Sequence, residues 1–122
     1  MRKIEVISIP VKDQQKSKDF YVNKIGFTVL VEAPMGNGQD WVQLGLPGTE
    51  TSITLVTWFD KMPPGSIQGL VLSSENIKND MKELSAKGVK IGELQNTPWG
   101  IFCWFTDPDG NSWTLHENPA KQ

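Results

Sequence analysis

The chain repeats three landmarks at one fixed separation, and this repeat restricts the folds open to it. Three pairs of residues are related by the same offset of 62 positions: Asp13 and Glu75, Gly26 and Gly88, and Gly48 and Gly110. Self-similarity at a fixed period indicates a repeated structural unit. We therefore interpret the sequence as two copies of one unit.

Each copy has the pattern of a strand, a helix and three further strands. The first copy predicts strands at 4–11, 27–34, 39–46 and 52–58, with a helix that Asp13 caps and Gly26 ends. The second predicts a strand at 67–73, a helix at 76–87 and strands near 89–94, 99–106 and 112–117. A chain of 122 residues can bury one continuous core and is too short for two. The prediction is an α+β fold of two βαβββ modules, about 4–58 and 66–117, in one domain of residues 1–122.

Composition excludes several classes of site. One cysteine cannot form an internal disulfide or a thiolate cluster, and one histidine excludes the paired-histidine zinc motifs. No apolar stretch reaches the roughly 18–20 residues of a membrane helix, and the N-terminus lacks a signal-peptide pattern. A net charge of −2 without a basic run is untypical of nucleic-acid binding. We expect a cytoplasmic protein that binds neither nucleic acid nor membrane.

Alternation along the predicted strands separates an aliphatic face from a mixed one. The residues expected to pack on the helices are Ile7, Ile9, Val11, Val42, Leu44, Leu46, Ile53, Leu55, Ile101, Cys103 and Phe105. The opposite face carries Val6, Ser8, Trp41, Gln43, Thr54, Val56, Trp58, Phe102, Trp104, Ser112, Thr114 and His116. A solvent face would carry lysine and glutamate instead. An apolar wall with a few hydrogen-bonding groups is typical of a small-molecule site.

Three segments resemble the vicinal-oxygen-chelate superfamily, which includes glyoxalase I, bleomycin-resistance proteins and extradiol dioxygenases. They are VISIPVKDQQKSKDFYVNKIGF, ENIKNDMKELSAKGV and FTDPDGNSWTLHE, within about residues 4–117. The resemblance implies a cup-shaped mixed sheet with the helices on its outer face, usually completed by a homodimer. It leaves the function open, because the superfamily supports many chemistries on one scaffold.

The resemblance also identifies four positions at which enzymes of this superfamily hold a divalent metal through His and Glu. These positions are occupied here by Val6, Thr54, Gly69 (or its neighbour Gln68) and Thr114. Valine and glycine have no side-chain donor, and a threonine hydroxyl is a poor ligand for a transition metal. A rearranged site would need His116 and Gln68 together with Glu50 or Glu117. We therefore expect neither a metal nor another cofactor.

The tryptophans have alternative interpretations. Trp41 and Trp104 favour a pocket, since their flat faces suit an aromatic or cationic ligand, whereas Trp113 favours the core. Trp58 could form a pocket rim or contact a second copy of the chain. Trp99 could be a loop residue at the pocket mouth.

Other polar candidates also have two interpretations. His116 could orient a ligand or move a proton, or it could be structural. Cys103 is expected to be a buried, unreactive thiol. Three acidic residues could attract a cation, although solvated charges are the simpler interpretation; they are Glu32, Asp40 and Glu50.

These patterns favour a binding protein of the bleomycin-resistance type over an enzyme. Its partner would be a small, flat or cationic organic ligand held between aromatic walls. The expected ligand-binding residues are Trp41, Gln43, Thr54, Trp58, Phe102, Trp104, Thr114 and His116. The alternative is a metal-dependent lyase, isomerase or dioxygenase of the glyoxalase type with a rearranged ligand set. A metal-free enzyme that uses His116 is a third hypothesis.

Overall fold

The computed structural model describes residues 1–119. The predicted domain of residues 1–122 extends three residues beyond this described part. Contacts within the chain define two compact units. Unit 1 consists of residues 1–67 and 107–111, and unit 2 consists of residues 68–106 and the described residues from 112 onwards.

Unit 1 contains one four-stranded sheet and one helical segment. Its elements are β1 (Val6–Pro10), α1 (Gln14–Phe20), a π-helical turn (Tyr21–Ile25), β2 (Thr28–Gly36), β3 (Gln39–Gly45) and β4 (Ser52–Val56). The strand order in the sheet is β1-β4-β3-β2. β1 is parallel to β4, and the other two pairs are antiparallel.

Unit 2 repeats this arrangement. Its elements are β5 (Leu70–Ser73), α2 (Ile77–Ala86), β6 (Gln95–Thr97), β7 (Gly100–Thr106) and β8 (Ser112–Glu117). The strand order is β5-β8-β7-β6, with β5 parallel to β8. The shared order confirms the predicted α+β class and the two βαβββ modules.

The repeated landmarks correspond to backbone features. All four repeated glycines are in the left-handed region, with φ between +79° and +102°. Asp13 caps α1 as predicted, since its Oδ1 accepts hydrogen bonds from the backbone N–H groups of Gln15 and Lys16. The cap of α2 is Asn76 and not its neighbour Glu75, because the short amide side chain reaches the N–H of Asn79 at 3.1 Å.

Two strand predictions are wrong. The segment near 89–94 lies outside the sheet, and β6 is limited to three residues that follow it. Gly92 lies within the segment 89–94 and weakens the preference of this segment for a strand. The N–H of Gly92 nevertheless donates a 2.8 Å hydrogen bond to the Trp104 carbonyl oxygen. β4 ends at Val56, so Trp58 lies beyond the strand that was predicted to contain it.

The predicted aliphatic face forms the core. α1 packs against β4, and α2 packs against β8. The buried strand residues on these faces are Ile9, Val42, Leu44, Ile53, Leu55, Cys103, Phe105, Trp113 and Leu115. Trp113 stacks on Phe105 with ring centroids 6.3 Å apart, which confirms its place in the core. Within residues 1–119, no helix is long and apolar enough to cross a membrane.

Candidate functional site

β7 and β8 place three stacked rings on one face of the sheet in unit 2. Phe102 pairs directly with His116 across the two strands, and Trp104 follows Phe102 by two residues on the same face. The Phe102 and His116 ring centroids are 4.5 Å apart and the planes differ by 20°. The Phe102 and Trp104 centroids are 6.5 Å apart with planes at 19°. These three residues are named the aromatic stack below.

The His116 ring is held by a hydrogen bond as well as by stacking. Its Nε2 lies 2.9 Å from the backbone oxygen of Trp99, in the β6–β7 turn. The Thr97 hydroxyl stabilises this turn, because it donates to the Gly100 carbonyl oxygen and accepts from the Trp99 N–H. Trp99 is confirmed as a loop residue, and its side chain is 73% exposed. Its role at a pocket mouth stays a prediction.

Gly100 permits the close approach of the turn to the stack. A Cβ atom at this position would lie 2.7 Å from His116 Nε2 and 2.2 Å from the Glu117 carbonyl oxygen. The backbone φ of Gly100 is +124°, a conformation that other residues rarely adopt. The turn and β8 can therefore meet only where residue 100 lacks a side chain.

Unit 1 carries a hydrogen-bonded chain of polar side chains on one face of its sheet. Trp41 Nε1 donates to Gln43 Oε1 at 3.0 Å, and Gln43 Nε2 donates to Ser52 Oγ at 2.7 Å. Thr54 is fully buried, with its hydroxyl 3.4 Å from that of Ser8. The sequence singled out Trp41, Gln43 and Thr54 but missed the link through Ser52. Their contact with a ligand stays a prediction.

Trp58 lines a cavity of about 580 Å³ in unit 1. The other residues around this cavity are Ser8, Phe59, Asp60, Lys61 and Met62. The Trp58 and Phe59 rings are tilted by 54° with centroids 6.1 Å apart. Sequence reasoning missed residues 59–62, because a segment outside the strands has no alternation that would assign it to a face.

A second cavity in unit 1, of about 640 Å³, lies at the start of α1. Its lining residues are Lys12, Asp13, Gln14, Gln15, Lys16, Gly38, Asp40, Thr57, Pro108 and Asp109. The sequence identified Asp13 only as a helix cap. The remaining residues come from four separate segments of the chain, so no local motif indicates this cavity.

Two of the three acidic candidates, Glu32 and Glu50, form side-chain contacts within the chain, and the third, Asp40, lines the second cavity. Glu32 accepts hydrogen bonds from Gln15 Nε2 at 2.9 Å and Lys18 Nζ at 3.0 Å, and these contacts hold the pKa of its carboxyl group below the usual value. Glu50 forms an exposed ion pair with Lys3 at 3.6 Å. In unit 2, Glu117 Oε1 accepts the N–H of Ile77, the first residue of α2, at 2.7 Å.

Cys103 is a buried thiol, as predicted. Its side chain is inaccessible to solvent. Burial raises the pKa of the thiol, and the negative charge of Asp80 adds to the effect. A raised pKa disfavours the nucleophilic thiolate form, so the environment of Cys103 is that of a structural residue.

The sequence of residues 3–115 matches the family model described as the glyoxalase/bleomycin resistance protein/dioxygenase superfamily. The chain belongs to this superfamily. The fold agrees with that assignment, since solved structures of superfamily members superimpose on most of the chain.

Three proteins are similar to this chain over most of its length. The structure of TnmS3, an antibiotic binding protein from Streptomyces sp. CB03234, is similar with a TM-score of 0.92, 41% identity and 98% coverage of both chains. A glyoxalase/bleomycin resistance protein from the same organism is 43% identical, with a TM-score of 0.83 and coverage of 93% of this chain and 99% of that one. The YetH protein of Bacillus subtilis (strain 168) is 34% identical over 96% of this chain and 99% of its own length.

The residues at the metal-binding positions of the superfamily do not fit a metal ion. Val6 and Gly69 have no side-chain donor atom, and the buried Thr54 hydroxyl lies next to that of Ser8. No group of three His, Cys, Asp or Glu side chains in the described part of the chain could hold an ion. The two carboxylates considered for a rearranged set, Glu50 and Glu117, are bound to Lys3 and to the start of α2.

Proposed function

We propose that this member of the superfamily binds a flat aromatic organic molecule and that the aromatic stack is the surface that receives it. The observation that carries the proposal is the near-parallel arrangement of Phe102, Trp104 and His116 on one sheet face. None of the three rings is buried, and Trp104 is 42% exposed. Stacked aromatic pairs contribute about 0.5–1.5 kcal/mol beyond the apolar area that they bury.

The chemistry of the stack matches binding better than catalysis. Flat rings provide a large apolar contact, and the indole face of Trp104 would also attract a cationic ring system. The carboxylate of Glu117, which neighbours His116 in sequence, accepts a hydrogen bond from the first N–H group of α2. Binding alone would sequester a ligand without requiring a nucleophile or a metal.

Similarity to TnmS3 supports this class of ligand. That protein is described as an antibiotic binding protein and is 41% identical to this chain. Organic antibiotics are small molecules of the size that protein pockets enclose. We therefore propose that the ligand belongs to this class of organic molecule.

Isothermal titration calorimetry with a flat aromatic cation, 9-aminoacridine, and a neutral naphthalene, 2-naphthol, tests the proposal. We expect the wild-type chain to bind at least one probe, and Trp104→Ala to weaken that binding at least about tenfold, which corresponds to about 1.4 kcal/mol. Ile4→Ala is the matched control, because it removes an exposed apolar side chain outside the stack. Equal affinities for wild type and Trp104→Ala, or no binding of either probe, would overturn the proposal.

A further inference from the structure

The hydrogen bond of His116 determines which ring nitrogen carries a proton. Nε2 lies 2.9 Å from the Trp99 backbone oxygen, and a carbonyl oxygen can only accept. Nε2 is therefore the protonated nitrogen. In a neutral imidazole the other nitrogen, Nδ1, is then an unprotonated acceptor.

The surroundings hold the ring in this orientation. Phe102 stacks on one side of it, with the planes 20° apart. The Trp99 oxygen is itself fixed, since Thr97 bonds to the backbone on both sides of it. Rotation of the imidazole would break the Nε2 hydrogen bond and disturb the stacked contact.

Nδ1 of His116 has no hydrogen-bond partner among residues 1–119, and it is accessible. Among residues 1–119, Nε2 is the only atom of the His116 ring that makes a hydrogen bond. No buried side-chain nitrogen or oxygen in this part of the protein lacks a hydrogen-bond partner. Since the unpartnered Nδ1 is not among the buried atoms, it has access to solvent. A hydrogen-bond donor from outside the chain can therefore reach it.

We propose that His116 Nδ1 selects flat aromatic ligands that carry a hydrogen-bond donor, such as a phenolic hydroxyl or a ring N–H, over those that do not. This inference rests on the proposed function, because it requires a ligand on the aromatic stack. The stack supplies affinity for any flat ring, whereas Nδ1 supplies the preference. His116 is therefore a specificity-determining residue.

The test compares 2-naphthol with 2-methoxynaphthalene, which differ only in that a methyl group replaces the hydroxyl hydrogen. Calorimetry is performed at about pH 8, since the comparison requires the neutral imidazole. One hydrogen bond corresponds to a preference of about two- to tenfold for 2-naphthol in the wild-type chain. His116→Phe keeps a flat ring but removes the acceptor, so it should bind both probes with equal affinity. Trp104→Ala should weaken the binding of both probes but keep the preference for 2-naphthol.

Three outcomes separate the inference from the proposed function. A wild-type chain that binds both probes equally, or a His116→Phe variant that keeps the preference, overturns the role of Nδ1 while the binding function stands. A wild-type chain that binds neither naphthalene overturns the role of Nδ1, and it overturns the proposed function as well if 9-aminoacridine also fails to bind. If His116→Phe does not fold, nitrogen NMR of the wild type decides, since the chain contains a single histidine. The spectrum should show an N–H at Nε2 alone, and 2-naphthol should shift the Nδ1 signal more than 2-methoxynaphthalene does; equal shifts or a proton on Nδ1 would contradict the inference.

Discussion

The hydroxyl group of Tyr21 donates a 2.7 Å hydrogen bond to Oδ2 of Asp107, and both side chains are buried. Asp107 also accepts hydrogen bonds from the backbone N–H groups of Asp109 and Asn111. The amide nitrogen of Asn111 donates to Asp107 Oδ2 and to the carbonyl oxygen of Pro10, each at 2.8 Å. The buried carboxyl group is therefore stabilised by four donors, and one of them comes from the helical segment of unit 1.

Tyr21→Phe should lower the free energy of unfolding by about 1–3 kcal/mol, because it leaves the buried Asp107 oxygen with one donor fewer. Urea unfolding followed by circular dichroism measures the change. Asn23→Ala, an exposed substitution in the same π-helical turn, is the control. Equal stabilities for Tyr21→Phe and the control would show that the hydrogen bond contributes nothing measurable.

Gly100→Ala should lower the free energy of unfolding by more than an alanine at another glycine of similar backbone geometry does. Gly36 is the matched control, since its φ is +94° and nothing lies within 4 Å of a Cβ placed there. Gly36→Ala should cost about 1–3 kcal/mol from backbone strain alone. Gly100→Ala adds a collision with the Glu117 carbonyl oxygen, so we expect a loss at least about 2 kcal/mol larger, or failure to fold. Similar losses in thermal unfolding would contradict this account of the turn.

The lowered pKa of Glu32 predicts a stability contribution that depends on pH. Hydrogen bonds from Gln15 and Lys18 favour the ionised form in the folded chain. The contribution is therefore present above the ordinary glutamate pKa and is lost as the pH falls through the lower pKa of the folded state. Glu32→Gln should destabilise the chain by about 0.2–1 kcal/mol at neutral pH, and the difference should vanish in acid. Glu50→Gln, at an exposed ion pair, is the control and should leave the free energy of unfolding at neutral pH nearly unchanged. A loss of stability for Glu32→Gln that persists in acid would rule out this linkage.

We predict that two copies of the chain associate through β2. This strand is at the edge of its sheet, and Val29, Leu30, Val31 and Met35 are each 43–54% exposed. An uncovered edge is a template for pairing with another strand. The one charge in β2, Glu32, is neutralised by Lys18 of the same chain, so a second copy would not meet an unpaired like charge.

Leu30→Lys should convert the predicted dimer into a monomer, as measured by sedimentation equilibrium, because edge lysines oppose strand pairing. Val71→Lys, at an exposed position of β5 in unit 2, is the control. A wild-type monomer would contradict the prediction. Dissociation by Val71→Lys alone would assign the contact to unit 2 instead.

The elements that sequence periodicity could predict are those with a strong local signal. Alternation along β7 and β8 assigns Cys103 and Phe105 to the core and Phe102 and Trp104 to the opposite face, and the structure agrees. Side chains alternate with a period of two, so an error of one or two residues at a strand end leaves the interior assignment unchanged. The cap at Asp13 was predictable for a similar reason, because its contacts lie within three residues.

The details that sequence could not supply depend on contacts between distant positions. The bond from His116 to Trp99 spans 17 residues and exists because β6 and β7 form a short hairpin beside β8. The prediction of a strand near 89–94 placed that hairpin too early, so Gly100 was not recognised as the point where the turn approaches β8. Ser52 was missed because its partner Gln43 is on the neighbouring strand, in a register that local patterns do not encode.

The five residues 107–111 belong to unit 1, although the strands on either side of them belong to unit 2. A polypeptide that ended at Ile67 would keep all four strands of its sheet but lose the acceptor of Tyr21 and the donor to Pro10. A polypeptide that began after Ile67 would contain Asp107 and Asn111 but would lack their hydrogen-bond partners Tyr21 and Pro10. Each half of the repeat is therefore incomplete by itself, because a break in the gene after Ile67 would separate Tyr21 and Pro10 from their hydrogen-bond partners.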